Sequence, residues 1–242
     1  MTEMVEHTLS KVVILKDHQF KKIKKITYMS YFTYSNNFLK SEGVEIQKIA
    51  ESRATPFYCY SKKAITENYN NFKNSFKDMD VKICFSLKSN SNLSVLNILS
   101  NLGAGADVVS EGELRKALKA KINSNDIVFS GVGKTEEEIA FAIQNNCFQI
   151  NIESLSEIKR VNAIAEKIGN KQKVALRINP DIDPNTHGKI TTGMIENKFG
   201  ISVSDALNIF TNSNNYKNII LNGIAFHIGS NINEIKPFEE SF

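Results

Sequence analysis

A single lysine, Lys88, stands where a short apolar strand should end. Residues 81–87 are mostly apolar and predict a buried strand, and residues 89–92 break the chain before a helix that should begin near Leu93. An amine in this position can form a Schiff base with a carbonyl cofactor or substrate if its surroundings lower its pKa. A lysine that extends its amine to solvent at the edge of a sheet fits the same residues, so this stretch alone leaves both interpretations open.

His227 ends the last apolar segment of the chain and is followed by Gly229 and Ser230. An imidazole can stack on a planar ring or exchange protons. Glycine lets the backbone approach a ligand closely, and a serine hydroxyl with neighbouring N–H groups can hold phosphate oxygens. A histidine at a strand end that only bonds a neighbouring residue explains the pattern equally well.

Two charged side chains, Asp107 and Arg177, interrupt other apolar strands. A buried carboxylate without a cationic partner is costly, so we expect Asp107 to pair with Lys88 or His227. A turn or helix-capping role is the alternative for Asp107. Arg177 requires an anionic or hydrogen-bonding partner. The segment 181–198 that follows is long for a strand-to-helix connection, which makes it a candidate functional loop.

A regular alternation of strands and helices must position these residues. Single helices between consecutive strands predict an α/β fold with a parallel sheet of βαβ units. Polar residues fall at strand ends all along the chain, which favours an incomplete TIM (β/α)8 barrel of about six units over an open doubly wound sheet. The predicted strands are 81–87, 106–110, 127–130, 149–152, 174–179 and 223–228, and the predicted helices are 93–102, 111–120, 135–145, 154–168 and 202–212.

The composition is that of an ordinary globular protein, since 41% of the 242 residues are hydrophobic and 23% are charged. No apolar run reaches the length of a membrane span. The three cysteines are widely separated and odd in number, which predicts a reduced cytoplasmic protein without a metal site. The chain lacks the glycine motifs of dinucleotide-binding and P-loop proteins, so these classes have no support.

The N-terminal segment, residues 1–28, holds six lysines and three acidic residues. Its composition alone would allow binding to nucleic acid or anionic lipid, but we favour a disordered, solvated extension with neither partner. Beyond it, residues 44–52 predict a short helix and residues 55–60 a strand. Ser61 or Thr66 should cap the helix that follows, which should run to Phe76.

Motifs in seven places along the chain resemble those of the diaminopimelate and ornithine decarboxylases, which belong to the alanine-racemase-like, fold-type III pyridoxal-phosphate enzymes. The resemblance covers residues 31–242, nearly everything outside the basic segment. The motifs lie at residues 86–92, 103–114, 129–135, 151–154, 177–180, 197–200 and 227–230.

The resemblance implies a homodimeric enzyme that uses pyridoxal 5'-phosphate to decarboxylate a small amino acid, meso-diaminopimelate, to lysine in lysine biosynthesis. It implies that Lys88 forms the Schiff base with the cofactor and that His227 stacks on its pyridine ring, these two being the catalytic residues. Ser230 is implied to lie near the cofactor phosphate or substrate, and Asp107 near Lys88 and His227. Arg177 is implied to support the cofactor-facing network.

The sequence departs from the family pattern at Asn231, where the family has glutamine. The family's glycine-rich phosphate loop, its acidic partner for the ring nitrogen, its cysteine motif and its C-terminal β-domain would all follow Phe242. We therefore expect an N-terminal fragment with weak or no activity, which a complementing C-terminal fragment would complete.

The expected domains of this fragment are a basic extension (1–28), a segment of the β-domain (29–57) and a partial pyridoxal-phosphate barrel (58–242). Two alternatives remain, namely a non-catalytic pyridoxal-phosphate-binding protein built as a single barrel, and a fragment of an ornithine- or arginine-type decarboxylase.

Overall fold

The computed structural model describes residues 11–13, 31–179, 199–229 and 235–241. These residues group into two compact units. The first unit comprises the described residues up to Val81 together with Asn97–Gly103, and the second comprises Lys82–Leu96 and the described residues from Ala104 onwards. The predicted domain limits after residues 28 and 57 do not coincide with this division and stay predictions.

The first unit contains a three-stranded antiparallel sheet whose strands are joined by two-residue loops. The four loop residues, Asn36, Asn37, Glu42 and Gly43, all have positive φ, as the type I′ turns of tight hairpins require. Residues 32–45, which belong to the segment that we expect to join a β-domain, therefore pair with one another. In chain order the elements of this unit are β1 (Lys11–Val13), β2 (Phe32–Ser35), β3 (Phe38–Ser41), β4 (Val44–Glu45), α1 (Ile46–Ser52), β5 (Tyr58–Tyr60) and α2 (Lys62–Asn74).

Strand β1 lies inside the predicted basic extension and pairs antiparallel with β5. At these three residues the structure differs from the expected disorder, because the β-prone tyrosines of β5 offer a strand edge to which a short apolar segment can pair. The rest of residues 1–28 lies outside the described part of the chain.

Of the two predicted capping residues, Ser61 and Thr66, it is Ser61 that caps the start of helix α2. The Ser61 hydroxyl accepts a hydrogen bond from the Ala64 N–H at 3.0 Å and donates one to the Glu42 carboxylate at 2.7 Å. The capping carboxylate therefore comes from a tight turn of the small sheet, so this contact links α2 to the hairpins within the first unit.

The second unit is built on a six-stranded parallel sheet in which each strand pairs with the one before it in the chain. This confirms the predicted α/β fold and is the arrangement of an incomplete TIM barrel. Its elements are β6 (Cys84–Ser86), α3 (Leu93–Asn101, which ends in the first unit), β7 (Gly105–Val108), α4 (Glu111–Lys119), β8 (Ile127–Phe129), α5 (Glu136–Gln144), β9 (Gln149–Ile152), α6 (Leu155–Ile168), β10 (Gln172–Arg177), α7 (Val203–Thr211), β11 (Ile219–Ala225) and α8 (Lys236–Ser241).

The two faces of this sheet differ in chemistry because side chains alternate along each strand. One face is fully buried under the helices and consists of residues such as Ala106, Val108, Ile127, Phe129, Ile150, Ile152, Val174 and Leu176. The other face carries the polar side chains Ser86, Asp107, Asn151 and Arg177, all of intermediate burial. The strands therefore hold polar residues on the face that lines the interior of a barrel.

The helix starts are set by side-chain caps, one of which differs from the sequence pattern. Thr135 and Glu138 form a complete capping box at α5. Ser154 and Glu157 have the sequence spacing of a capping box at the start of α6, but only half of the box forms, since the Ser154 hydroxyl accepts from the Glu157 N–H at 3.2 Å. The Glu157 carboxylate accepts from the backbone N–H of Glu153 at 2.6 Å instead of from that of Ser154, because it also binds a lysine described below.

Within the described ranges, no helix is long and apolar enough to cross a bilayer. The same residues contain no group of three or more histidine, cysteine, aspartate or glutamate side chains that could hold a metal ion.

Candidate functional site

Lys88 lies one residue beyond the buried Leu87, in the turn that follows β6. The turn is held by Ser89, whose backbone N–H and hydroxyl both donate to the Ser86 carbonyl, at 3.2 and 2.7 Å. The Leu87 N–H donates to the Asp107 carbonyl at 3.0 Å and so ties the turn to β7. Lys88 itself is exposed, and its amine makes no hydrogen bond or ion pair with another residue of the described ranges. The structure thus places an accessible amine on the C-terminal rim of the sheet.

Asp107 lies in the middle of β7 with its carboxylate on the polar face of the sheet. It accepts hydrogen bonds from the Ser86 hydroxyl at 3.0 Å and from the Ser130 hydroxyl at 2.5 Å. Two serines on the neighbouring strands therefore stabilise this half-buried carboxylate, a role that the sequence interpretation did not assign to them. The strand register sets Ser86 directly opposite Asp107, and Ser130 lies two residues beyond Val128, the residue opposite Asp107 on β8; a sequence does not give this register.

A chain of amide side chains extends this polar network across the sheet. The Asn151 side chain donates to the Ser130 hydroxyl at 2.9 Å, and the Gln149 side chain donates to the Asn151 Oδ1 atom at 2.8 Å. Asn222 of β11 then donates to the Gln149 side-chain oxygen at 2.7 Å. Hydrogen bonds therefore run along the interior face of the sheet from Asn222 to Ser130, which in turn holds Asp107.

Arg177, at the end of β10, has the anionic partner that the sequence requires. Its Nη1 atom lies 2.8 and 2.9 Å from the two carboxylate oxygens of Glu153, and both side chains are largely buried. The guanidinium also lies over the Phe199 ring, 5.7 Å from its centroid. Gly200 completes this corner with φ of +90°, and a Cβ there would stand 2.9 Å from the Arg177 carbonyl. Glycine is therefore required for the chain to return beside β10.

A second ion pair, between Lys134 and Glu157, lies beneath the rim and is almost completely buried, at 2% and 4% exposure. Lys134 Nζ donates to the carbonyls of Gly131 and Asn151 at 2.6 and 2.7 Å and to Glu157 at 3.0 Å, which uses all three of its donors. Because the other Glu157 oxygen binds the Glu153 N–H, this pair fixes the backbone that carries the partner of Arg177. The sequence interpretation missed this pair because Lys134 resembles an ordinary exposed lysine before a helix.

His227 follows β11 and is half-buried. The charged groups that act on its pKa identify the residues near it at the rim. Burial lowers the pKa of His227 below its ordinary value, and the cations Arg177 and Lys88 lower it further. The anions Asp107 and Glu153 act in the opposite direction. The imidazole is therefore mainly neutral at neutral pH. The structure brings the predicted residues Lys88, Asp107 and Arg177 within electrostatic reach of His227, whereas Ser230 lies outside the described residues.

These geometries can be set beside proteins of known identity. The family model described as "Pyridoxal-dependent decarboxylase, pyridoxal binding domain" matches residues 62–242, three quarters of the chain. The chain belongs to the pyridoxal-dependent decarboxylase family. The matched region of the family is its pyridoxal-binding domain, which contains every rim residue described above.

Similar members of this family are diaminopimelate decarboxylases. The chain is 41% identical to the enzyme of Haemophilus influenzae over 210 residues, which are 87% of this chain and 51% of that protein. It is 40% identical to the enzyme of Aquifex aeolicus over 88% of this chain and 50% of that protein. The chain thus spans about half the length of the curated relatives it matches.

Solved structures of the family agree with the fold. The Helicobacter pylori diaminopimelate decarboxylase, crystallised with L-lysine, matches with a TM-score of 0.79 and 41% identity over 81% of this chain and 50% of that chain. The M. jannaschii enzyme matches with a TM-score of 0.80 and 35% identity over 87% of this chain and 50% of that chain. A likeness to a chlorella virus arginine decarboxylase, at 22% identity and a TM-score of 0.68, shows the fold alone.

Proposed function

We propose that the chain is the cofactor-holding part of a cytoplasmic diaminopimelate decarboxylase, a carboxy-lyase that converts meso-diaminopimelate to lysine. The observation that carries this proposal is the match of the pyridoxal-binding domain over residues 62–242, together with the clustering of Lys88, Asp107, Arg177 and His227 on one rim. Relatives at about 40% identity that share the diaminopimelate name support this substrate over ornithine or arginine. The three free cysteines agree with a reducing compartment.

The residues of the rim fit pyridoxal phosphate by their chemistry. An aldehyde cofactor requires an accessible amine, and Lys88 offers an exposed one at a strand end whose turn is fixed by hydrogen bonds. A planar aromatic ring requires a flat, uncharged surface, and the pKa of His227, lowered chiefly by burial, keeps its imidazole neutral. We therefore assign covalent attachment to Lys88 and ring stacking to His227.

Pyridoxal phosphate, when bound, supplies the electron sink that makes loss of carbon dioxide from an α-carbon feasible. The protein's share is orientation and electrostatics. Asp107, fixed by two serine hydroxyls, supplies a negative charge that opposes the lowering of the His227 pKa by burial. Arg177, fixed by Glu153, supplies the opposing positive charge. These two opposing charges act together on the pKa of the His227 ring, which burial lowers.

The proposed function also includes partners for this chain. The chain spans about half of its relatives, so we propose that turnover depends on polypeptide equivalent to their other half and on a homodimeric assembly. Ser230, the residue after the described segment 199–229, is proposed to contact the cofactor phosphate or substrate. The chain alone is expected to bind the cofactor weakly and to release little or no carbon dioxide.

Covalent labelling tests the cofactor assignment separately from activity. The purified chain is incubated with pyridoxal phosphate, reduced with borohydride and analysed by peptide mass spectrometry. We expect the adduct on Lys88, its loss in Lys88→Arg and its retention in Lys119→Arg, a matched change at an exposed lysine of α4. An adduct spread over surface lysines would refute the assignment of Lys88.

Release of carbon dioxide from meso-diaminopimelate is measured in parallel. Efficient turnover by the chain alone would contradict the expectation that it needs the equivalent of its relatives' other half.

A further inference from the structure

The buried side chains of Lys134 and Glu157 bind three backbone groups near the rim of the sheet, in addition to each other. Lys134 donates to the carbonyls of Gly131 and Asn151, at 2.6 and 2.7 Å. Glu157 accepts from the Glu153 N–H at 2.6 Å. Replacing a buried ion pair by apolar residues of similar volume is often neutral for stability, so what such a pair adds is the direction of its hydrogen bonds. The three backbone groups therefore show what this pair can position.

Two of these groups belong to the support of Asp107. Gly131 directly follows Ser130, whose hydroxyl donates to the Asp107 carboxylate. Asn151 carries the side-chain amide that donates to the same Ser130 hydroxyl at 2.9 Å. Because this amide takes the serine oxygen as its acceptor, the hydroxyl proton is directed to the carboxylate. Lys134 therefore fixes the backbone at both residues that orient one oxygen of Asp107.

The third group belongs to the support of Arg177. The Glu153 carboxylate accepts from Arg177 Nη1 through both of its oxygens, at 2.8 and 2.9 Å. Glu153 is thus held at two points, by Glu157 at its N–H and by Arg177 at its side chain. Glu157 therefore limits where the guanidinium of Arg177 can lie.

Asp107 and Arg177 act in opposite directions on His227. Burial lowers the pKa of His227 most, Arg177 and Lys88 lower it further, and Asp107 and Glu153 raise it. These four charged groups come from four parts of the rim, since Lys88 follows β6, Asp107 lies in β7, Glu153 follows β9 and Arg177 ends β10. All except Lys88 are connected to the buried pair by the hydrogen bonds described above.

We propose that Lys134 and Glu157 are positioning residues, and that they hold the charged groups that face His227 at fixed distances from it. Both side chains are almost completely buried, so they act through the backbone groups that they bind. The inference rests on the proposed function only for the use that the cofactor makes of His227, because the placement of these charges is a property of the chain alone.

The effect of a neighbouring charge on the His227 pKa reports where that charge lies, because the interaction falls with distance. NMR titration of the 242-residue chain gives this pKa, and the spectrum of His227→Gln identifies its signal among the four histidines. In the wild type, Asp107→Asn should lower the pKa of His227, since Asp107 raises it. The same replacement is then made in the test variant, Lys134→Met with Glu157→Gln, which removes the ion pair without changing the net charge.

We expect the shift caused by Asp107→Asn to be smaller by about twofold or more in the test variant, because Ser130 and Asn151 lose the lysine that fixes their backbone. Glu111→Gln with Arg115→Met is the matched control. It removes an ion pair of 2.7 Å on the surface of α4 and also leaves the net charge unchanged. This control should alter the shift by less than about a fifth.

Glu157→Asp is a second test variant that keeps both charges of the pair. Its carboxylate is one methylene shorter, so it cannot keep the bonds to Lys134 and to the Glu153 N–H together. In the wild type, Arg177→Gln should raise the pKa of His227, and we expect a smaller rise in Glu157→Asp. Circular dichroism checks folding, and this variant decides if the double variant is unfolded.

A folded test variant that is less stable but shows the same His227 shifts as the wild type would assign a structural role alone to the pair and overturn the proposal. Unfolding of both test variants would do the same. Equal changes in the test variant and the surface control would also overturn it.

Labelling of Lys88 by pyridoxal phosphate is measured separately. Absence of this label together with the expected His227 shifts would contradict the proposed function and leave the positioning role in place.

Discussion

Replacing Lys134 by methionine should destabilise the sheet unit by about 3–5 kcal/mol, the usual cost of removing one partner from a buried ion pair. Methionine fills much of the lysine volume, so loss of packing contributes little. The Glu157 carboxylate, which is 4% exposed, would lose its cationic partner and keep only its hydrogen bond from the Glu153 N–H. The carbonyls of Gly131 and Asn151 would also lose their donor. Because a domain is stable by only about 5–15 kcal/mol, this loss is a large fraction of the total.

Chemical denaturation followed by circular dichroism measures the change in unfolding free energy. Lys159→Met, at an exposed lysine of α6, is the matched control and should change stability by less than about 0.5 kcal/mol. Adding Glu157→Gln to Lys134→Met should recover part of the loss, because the unpaired charge disappears while an oxygen remains for the Glu153 N–H. A loss below about 1 kcal/mol, or no recovery in the double variant, would refute the argument from buried charge.

Three further predictions concern the rim and the core. Glu153→Gln should lower the pKa of His227 and Arg177→Gln should raise it, as measured by NMR titration. The folded-state pKa of His227 is already below its unfolded value. This histidine should therefore also reduce stability as the pH falls from its unfolded pKa through its folded one. Unchanged titration in both variants would show that the ion pair does not act on the imidazole. Gly200→Ala should lower stability by about 1–3 kcal/mol in thermal unfolding, because alanine at a φ of +90° is strained and its Cβ would crowd a carbonyl; a stable variant would mean that the corner relaxes freely. Burial raises the pKa of Cys84 to about 11, so its thiol should react with a disulfide reagent much more slowly in the folded chain than after denaturation, and equal rates would refute its burial.

The order and type of the strands and helices of the sheet unit were predictable because each element has a clear local pattern. The apolar runs around Ile127, Ile150 and Val174 became buried strands, and the helix predicted from residue 135 begins with a capping box of Thr135 and Glu138. Strand limits were less predictable. The last strand, predicted at 223–228, spans Ile219–Ala225, because pairing with β10 decides where a strand begins and the sequence does not contain the register.

The charged residues of the site were only partly predictable. A mid-strand Arg177 needs an anion, but nothing in the sequence selects Glu153 from the 26 acidic residues of the chain. The burial of Lys134 was even less predictable. Its position in the sequence is typical of a solvated residue, and it becomes buried only because two carbonyls and one carboxylate converge on it. Partner choice depends on which strand ends become neighbours in space. The two type I′ loops of the small sheet were missed for another reason, since Asn36-Asn37 and Glu42-Gly43 are weaker turn patterns than Asn-Gly.

The strand order of the large sheet has a consequence for how the chain can fold during synthesis. Every strand from β6 to β11 pairs with the strand made just before it, so each new βα unit can dock as soon as it leaves the ribosome. Each new strand then closes a loop of only one βα unit, so the contacts formed during folding stay local in sequence although the sheet is parallel. Among the described strands, the edges open to pairing are the outer edge of β6 and the newest strand, so the growing end of the nascent chain is one place where a chaperone or an incorrect strand would compete.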